Sequence, residues 1–429
     1  MRRLFDRLPE GTIAIGAGLA VNGLAAYAFI TISSRDLGAE VYTPVGLLWA
    51  LSFLLGPGFF QPLEQETARI VASRSGQGAG PVFRAAARVG GLMALLVCGL
   101  ALVAAPWIID KPFDGEAMLL VGLVLVVLGL GSAHLVRGLL AGLGRFGGYS
   151  RYVMGEGIGR LVLVAVLAAI LGSGMAVYGL AIGLAPFVGI GLAVTGQRGL
   201  LEPGEPVPVS ELSRALGSLL VASAATAFML NVSPLAVEFL ATEHQSQEPG
   251  RFLNALLIAR IPLFFFQAVQ ASLLPKLSGL AGEGQYDELW QVLRRLLVLV
   301  LALGAVAIVG CGLFGPAVVE TAFGADFAIG RRDMVLLAVS SAILMVALSL
   351  AQALIAARSQ GRMALAWVAG VVAFPVVAAF GDDLFLRVEI ALIVSVTVTA
   401  VVMGFLVERR LHGVGVTTGV RGLSGRDRH

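Results

Sequence analysis

Twelve apolar runs, each close to the length needed to cross a bilayer, follow one another along the chain with only short polar turns between them. They cover residues 11–33, 43–63, 86–109, 117–139, 152–172, 175–196, 212–236, 252–275, 292–315, 334–356, 363–380 and 386–406. A hydrocarbon core takes about 20 apolar residues of helix. Backbone groups in lipid must be satisfied within the segment itself, so each run is expected to be a helix and the chain an all-α polytopic membrane protein. Composition agrees: 58% of the 429 residues are hydrophobic and 13% charged, too little charge to coat a water-soluble globule. The opening MRRLFDRLPEG places basic residues before the first run without a small-residue cleavage site, so span 1 is expected to be retained.

Arginine and lysine set the expected orientation. With a cytoplasmic amino terminus, 22 of the 30 basic residues fall on the inner side, six on the outer side, and two, Arg160 and Arg260, inside spans. Both termini are therefore expected to be cytoplasmic, with residues 411–429 forming a basic tail. The net charge of +3 comes from this bias and points to anionic membrane lipids as partners rather than to nucleic acid. Cys98 and Cys311 fall within spans and are expected to be small buried thiols. No cysteine or histidine cluster has metal-ligand spacing, so no metal and no cofactor is expected.

The two halves of the chain resemble each other. FFQPLEQETARIVASRSGQG (59–78) and FFQAVQASLLPKLSGLAGEG (265–284) share Phe-Phe-Gln and Gly-x-Gly with identical spacing, which aligns span 2 with span 8. LLAGLGRF (139–146) and LIAARSQGRM (354–363) align the 4–5 turn with the 10–11 turn more loosely. Six spans separate the copies, so both halves enter the membrane in the same direction. That is the parallel kind of repeat found in transporters that work around a central site. The expected units are 1–200 and 201–410, each a six-helix bundle.

Three stretches carry a family resemblance: PLEQETAR (62–69), RGLLAGLGRFGGYSRY (137–152) and ARIPLFFFQAVQASLLPKLSGLAGEGQ (259–285). With the architecture, they resemble the polysaccharide and lipid-linked oligosaccharide flippases of the multidrug/oligosaccharidyl-lipid/polysaccharide (MOP) exporter superfamily. The resemblance implies a MATE-like fold of two bundles around a cationic cavity, in which the sugar-phosphate head of a polyprenyl-linked saccharide crosses while its tail stays in the bilayer. It also implies polysaccharide polymerases or glycosyltransferases as partners and the bacterial plasma membrane as location.

Polar residues inside spans are expensive in lipid and mark candidate sites. Arg260 stands about 12 Å into span 8 at about 1.5 Å per residue, and its counterpart in the first half is Leu54, so the shared scaffold does not require an arginine there. Its planar fork suits a diphosphate, and Gln267 and Gln270 follow along the same helix. The alternative is an arginine paired structurally with a carboxylate or helix end. Asn22, Asn231 and Asn254 are candidates for sugar contact or for hydrogen bonds between helices. Glu156 and Arg160 stand at i,i+4, as a neutralised structural pair or a coupling pair. His134 is a candidate proton carrier or a hydrogen-bonded core histidine.

In FFQPLEQETAR, Gln61, Gln65 and Arg69 recur every four residues, Glu66 reaches Arg69 at i+3, and Glu64 and Pro62 lie between. The segment is expected to form the cytoplasmic mouth of the cavity, as a salt-bridged gate against span 8 or a receptor for the head group, with Pro62 as hinge. Its plainer reading is a helix ending in interfacial charge. Outer loops are all short, so a glycosyltransferase or polymerase is disfavoured and no enzymatic activity is expected. A cation-coupled multidrug antiporter of the same fold is the alternative. It is disfavoured because span 1 offers only Asn22 and Glu238 lies just past the end of span 7.

Overall fold

The computed structural model describes residues 12–74, 76–263, 266, 277, 279–357 and 359–423, and among them every regular element is a helix. Among the described residues, ten helical paths are long and apolar enough to cross a membrane, the first of which, 14–73, is long enough to do so twice. Large apolar side chains such as Leu92, Leu95 and Val103 are turned outward, 70%, 69% and 84% exposed. Lipid is as apolar as the helix interior, so these residues cost nothing there, and helix association rests on close packing and polar contacts instead.

The first two spans form one helix, α1 (Thr12–Leu55), broken at a single residue. Gly38 holds φ 70° and ψ 168°, a conformation that favours glycine, and the polar break expected between 33 and 43 shrinks to this one turn. Ser33 and Ser34 donate back to the carbonyls of Phe29 and Ile30, so their hydroxyls cost little in the helix. After Leu55 the chain widens into a π turn, Gly56–Phe60, where the Gln61 N–H reaches the Gly56 carbonyl. Pro57 contributes no N–H, and Gly58 leaves room for Ala227, whose Cβ lies 2.9 Å from where a Cβ on Gly58 would stand.

The extra residue turns the following helix, α2 (Gln61–Ser73), by about 100°. That phase buries Leu63, Glu64, Glu66, Thr67 and Ile70 and leaves Gln65 and Arg69 exposed. Pro62 occupies the first turn of α2, where its missing N–H is harmless. The irregularity of span 2 is therefore at GPGFF rather than at Pro62.

The next helices are α3 (Gly80–Val103), a short α4 (Ala105–Asp110), α5 (Ala117–Gly142), α6 (Phe146–Leu171), α7 (Met175–Val194) and α8 (Val209–Leu240). The helix α9 (Glu248–Ala259) begins span 8 and stops at a turn on Arg260, two residues before Pro262. Then come α10 (Tyr286–Phe323), α11 (Arg331–Ala356), α12 (Gln360–Ala378) and α13 (Leu384–Leu423). Asp383 caps α13: its Oδ1 accepts from the Leu386 N–H at 2.9 Å.

Contacts divide the chain into two compact units, 1–251 with 322–327, and 252–321 with 328–429. In unit 1, α7 packs on α5 and α6, α1 on α6, and α2 on α5; in unit 2, α13 packs on α11 and α12. Cys98 and Cys311 are buried free thiols.

The α2–α5 contact is close because α5 turns small residues toward α2. A Cβ added to Gly138 would stand 2.6 Å from the Glu64 carbonyl oxygen, and one on Gly142 would stand 2.6 Å from the Val71 Cβ. Gly138→Ala is expected to cost about 1–3 kcal/mol and to lower the thermal midpoint in detergent. Gly91→Ala, which meets nothing within 4 Å, should leave the midpoint unchanged or raise it.

The Leu386 N–H holds the Asp383 carboxyl below its usual range, helped by Arg332. The stability it contributes is present above the ordinary carboxylate value and is lost as pH falls through the lowered one. Asp383→Ala should cost about 0.5–2 kcal/mol at neutral pH. The gap to wild type should hold down to about pH 4 and close only below it, as thermal melts across pH would read.

Candidate functional site

The α2–α5 contact places a carboxylate of the PLEQETAR stretch against two side chains of SAHLVRG on α5. Glu64 Oε2 lies 2.7 Å from His134 Nδ1 and 3.3 Å from Arg137 Nη2. The third partner comes from the start of α6, in FGGYSRY: Tyr149 donates its hydroxyl proton to Glu64 Oε1 at 2.9 Å and accepts from Arg137 Nη2 at 2.5 Å. The Arg137 guanidinium also lies 5.0 Å from the Tyr149 ring centroid and 5.6 Å from that of Tyr152.

Glu64, His134 and Arg137 have side chains only 11%, 5% and 21% exposed. Both oxygens of the carboxylate are thus satisfied in a site closed on most sides, and three helices are tied together through one group. Two of the stretches that carry the family resemblance, 62–69 and 137–152, meet here.

A second pair lies further along α6. Arg160 Nη2 donates to Glu156 Oε1 at 3.1 Å, and its guanidinium lies 4.7 Å from the Trp49 ring centroid and 5.8 Å from that of Phe29. The arginine is 5% exposed. An arginine at this depth is stabilised by its carboxylate and by aromatic faces. Asn22 on α1 stands against Gly157 of α6, whose missing Cβ leaves the room: a Cβ there would come within 2.6 Å of Asn22 Oδ1.

The other residues singled out in the sequence lie apart from these clusters. Glu66 holds Arg69 through two hydrogen bonds of 2.6 and 2.9 Å, the i,i+3 pair that the spacing predicts. Gln61 is half-buried at the end of the π turn and Gln65 is exposed. Asn231 Nδ2 donates to the Ala227 carbonyl of its own helix at 2.9 Å, and Asn254 is fully buried in α9. Arg260 is half-buried at the turn that ends α9. Because α9 starts at Glu248, Arg260 stands about 18 Å along the helix rather than 12 Å. Gln267 and Gln270 lie outside the described residues.

Sequence reasoning missed Arg137 and Tyr149. The charge pattern assigns Arg137 to an inner turn, whereas it lies inside α5, five residues before its end. The signal was present in the 137–152 stretch, but spacing along one chain does not show which helix a carboxylate on another will meet. It also missed two acids of unit 2: Asp333, 7% exposed, which accepts from Arg332 at 2.8 Å, and Glu389, which is 0% exposed.

Solved structures share this fold over nearly the whole chain. The inward-facing conformation of a multidrug resistance MATE family transporter of the MOP superfamily superposes with a TM-score of 0.74, at 15% identity, covering 93% of this chain and 96% of that one. Its fold is that of the MATE transporters. A mutant of the Vibrio cholerae MATE transporter VcmN gives 0.68 at 13% identity, covering 94% and 97%. Among curated proteins, the uncharacterized Rv1510 of Mycobacterium tuberculosis is 26% identical over 408 residues, 91% of this chain and 90% of the relative. The uncharacterized Rv3630 of the same organism is 25% identical over 427 residues, covering 95% and 93%. No family model matches the sequence. The chain is a multi-pass membrane protein with the MATE fold.

Breaking a buried ion pair from one side leaves the partner uncompensated, at about 3–5 kcal/mol. Arg137→Met should therefore destabilise the detergent-solubilised protein strongly. Adding Glu64→Gln should recover part of the loss, a non-additivity that a double-mutant cycle by thermal or chemical unfolding reads directly.

Proposed function

We propose that the protein is a flippase that moves a polyprenyl-diphosphate-linked saccharide from the inner to the outer leaflet of a bacterial plasma membrane by alternating access, for cell-surface polysaccharide synthesis. It acts as a transporter rather than an enzyme. Its proposed partners are the lipid-linked saccharide, anionic lipids, and the polymerases or glycosyltransferases that use the product.

One observation carries the choice of cargo. Among the described residues, both buried carboxylates of unit 1 are neutralised in place, Glu64 by Arg137 with a further hydrogen-bond contact to His134, and Glu66 by Arg69; the largely buried Glu156 is neutralised by Arg160. A carrier of organic cations has to offer them a negative group, and none of these three carboxylates is left unpaired. An anionic head group meets no unpaired negative charge at these three positions.

Arg260 is proposed as the head-group anchor, with Gln267, Gln270, Asn254, Asn231 and Asn22 as sugar contacts. Gln61, Glu64, Gln65, Glu66 and Arg69 are proposed to form the mouth. Within it, Glu64 acts as the brace that holds α2 to α5 and α6. A ligand shifts a conformational equilibrium only through its differential affinity for the two states, and charge neutralisation at Arg260 supplies such a difference. A cation-coupled multidrug antiporter is the second reading, and one observation favours it: Glu389 in unit 2 is fully buried, and neither oxygen has a hydrogen-bond partner among the described residues.

In proteoliposomes, wild type is expected to flip a fluorescent polyprenyl-diphosphate saccharide. Arg260→Ala should slow it about tenfold or more, as expected for about 1.4 kcal/mol of lost head-group binding, and Arg260→Lys should restore part of the rate. Normal flipping by Arg260→Ala would remove the anchor. A wild type that moves no lipid but exports a cationic dye would replace the flippase by the antiporter.

A further inference from the structure

The chain passes between its two compact units at three places, after Arg251, after Thr321 and after Phe327. The last two enclose a short excursion. α10 up to Thr321 and the whole of α11 lie in unit 2, but the turn between them, Ala322–Phe327, belongs by its contacts to unit 1.

All three crossings are gathered in one cluster. Arg251 Nε donates to the Asp326 carbonyl at 2.6 Å, which ties the first crossing to the turn. Its other nitrogens hold Gln247 and Glu248 at the start of α9, at 3.0 and 3.1 Å, and so fix the guanidinium. Arg35 Nε donates to the Ala322 carbonyl at 2.8 Å, at the second crossing. At the third, Phe327 packs edge-to-face on Tyr42 with ring centroids 5.4 Å apart, and Phe323 lies 6.4 Å from it. All three rings are only 1% exposed. Gly324, at φ 117°, takes a conformation that favours glycine and turns the chain out of α10. The start of α9 docks on the same part of α1, where the Gly250 N–H donates to Thr43 Oγ1 at 3.2 Å.

Letting this turn go would expose two buried phenylalanines and strip two guanidinium groups of their carbonyl acceptors. Segments that detach with each conformational change are drawn instead from the lightly held parts of a fold. We infer that Ala322–Phe327 is a permanent anchor of α10 and α11 in unit 1, and that with Arg251 it gathers the chain crossings into a single pivot. Hinges of this kind are a few element-terminal residues that absorb the dihedral change, here the residues on either side of the three crossings. The anchor rests on no cargo, so its failure leaves the flippase reading standing, and the reverse holds too.

The test is native-state hydrogen exchange on the purified full-length protein in micelles without ligand, read by mass spectrometry at urea concentrations below the unfolding transition. A protein without ligand samples its other conformations. A turn that lets go in any of them exchanges through that small opening, which responds little to urea. A permanent anchor exchanges slowly, with the urea slope of residues 39–43 of α1, because the two open together. Arg251→Ala should speed exchange in both segments alike, by roughly tenfold or more, for the loss of a charged hydrogen bond. A turn with a shallower slope than 39–43 overturns the anchor, as does Arg251→Ala speeding 322–327 alone or leaving both unchanged. If Arg251→Ala does not purify folded, Arg35→Gln removes the donor to the Ala322 carbonyl from an exposed position and is read in the same way.

Discussion

A carboxylate at membrane depth has to find its countercharge inside the protein, because lipid offers none. In unit 1 this constraint is met at Glu64, and much of the local architecture follows from it. The π turn at GPGFF sets the phase that turns Glu64 inward. Gly138 lets α5 approach close enough to present His134 and Arg137, and the short turn into α6 brings Tyr149 to the second oxygen. The net gain from such a cluster is small, since desolvation offsets most of the attraction, but losing any member is costly. The cluster acts as a brace that fixes the position of three helices.

The two units meet the same constraint differently. The acids in the core of unit 1 are balanced by cations on the same or neighbouring helices, two of them by arginines three or four residues along the same helix. In unit 2, Arg332 is shared between Asp333 and Asp383, and Glu389 is left over. A unit with balanced charges suits an anionic cargo, whereas a buried acid lacking its counterion suits a small cation. The head-group anchor proposed at Arg260 lies in that second unit as well.

Much of the fold is legible in the sequence because bilayer thickness converts directly into run length. The apolar stretches from 117 to 139 and from 334 to 356 become α5 and α11 with shifts of only a few residues. The local pairs Glu66–Arg69 and Glu156–Arg160 are legible too, since helical spacing alone brings them together. What depends on tertiary approach is not: which helix Glu64 meets, and that Arg137 is a core residue rather than a loop cation. Glu389 escaped notice because the apolar run around it is strong enough to hide one charged residue. Pro62 reads in the sequence as the hinge of the cytoplasmic mouth, but a proline in the first turn of a helix disturbs nothing, while Pro57 in mid-span accompanies the wider turn.

If the transport path is built for an anionic head group, equilibrium binding to the wild-type protein in nanodiscs will show it. Saturable binding of a polyprenyl-diphosphate saccharide that inorganic diphosphate competes away is expected, with no saturable binding of a lipophilic cationic dye. Saturable binding of the dye, unaffected by diphosphate, together with no binding of the lipid, would contradict it.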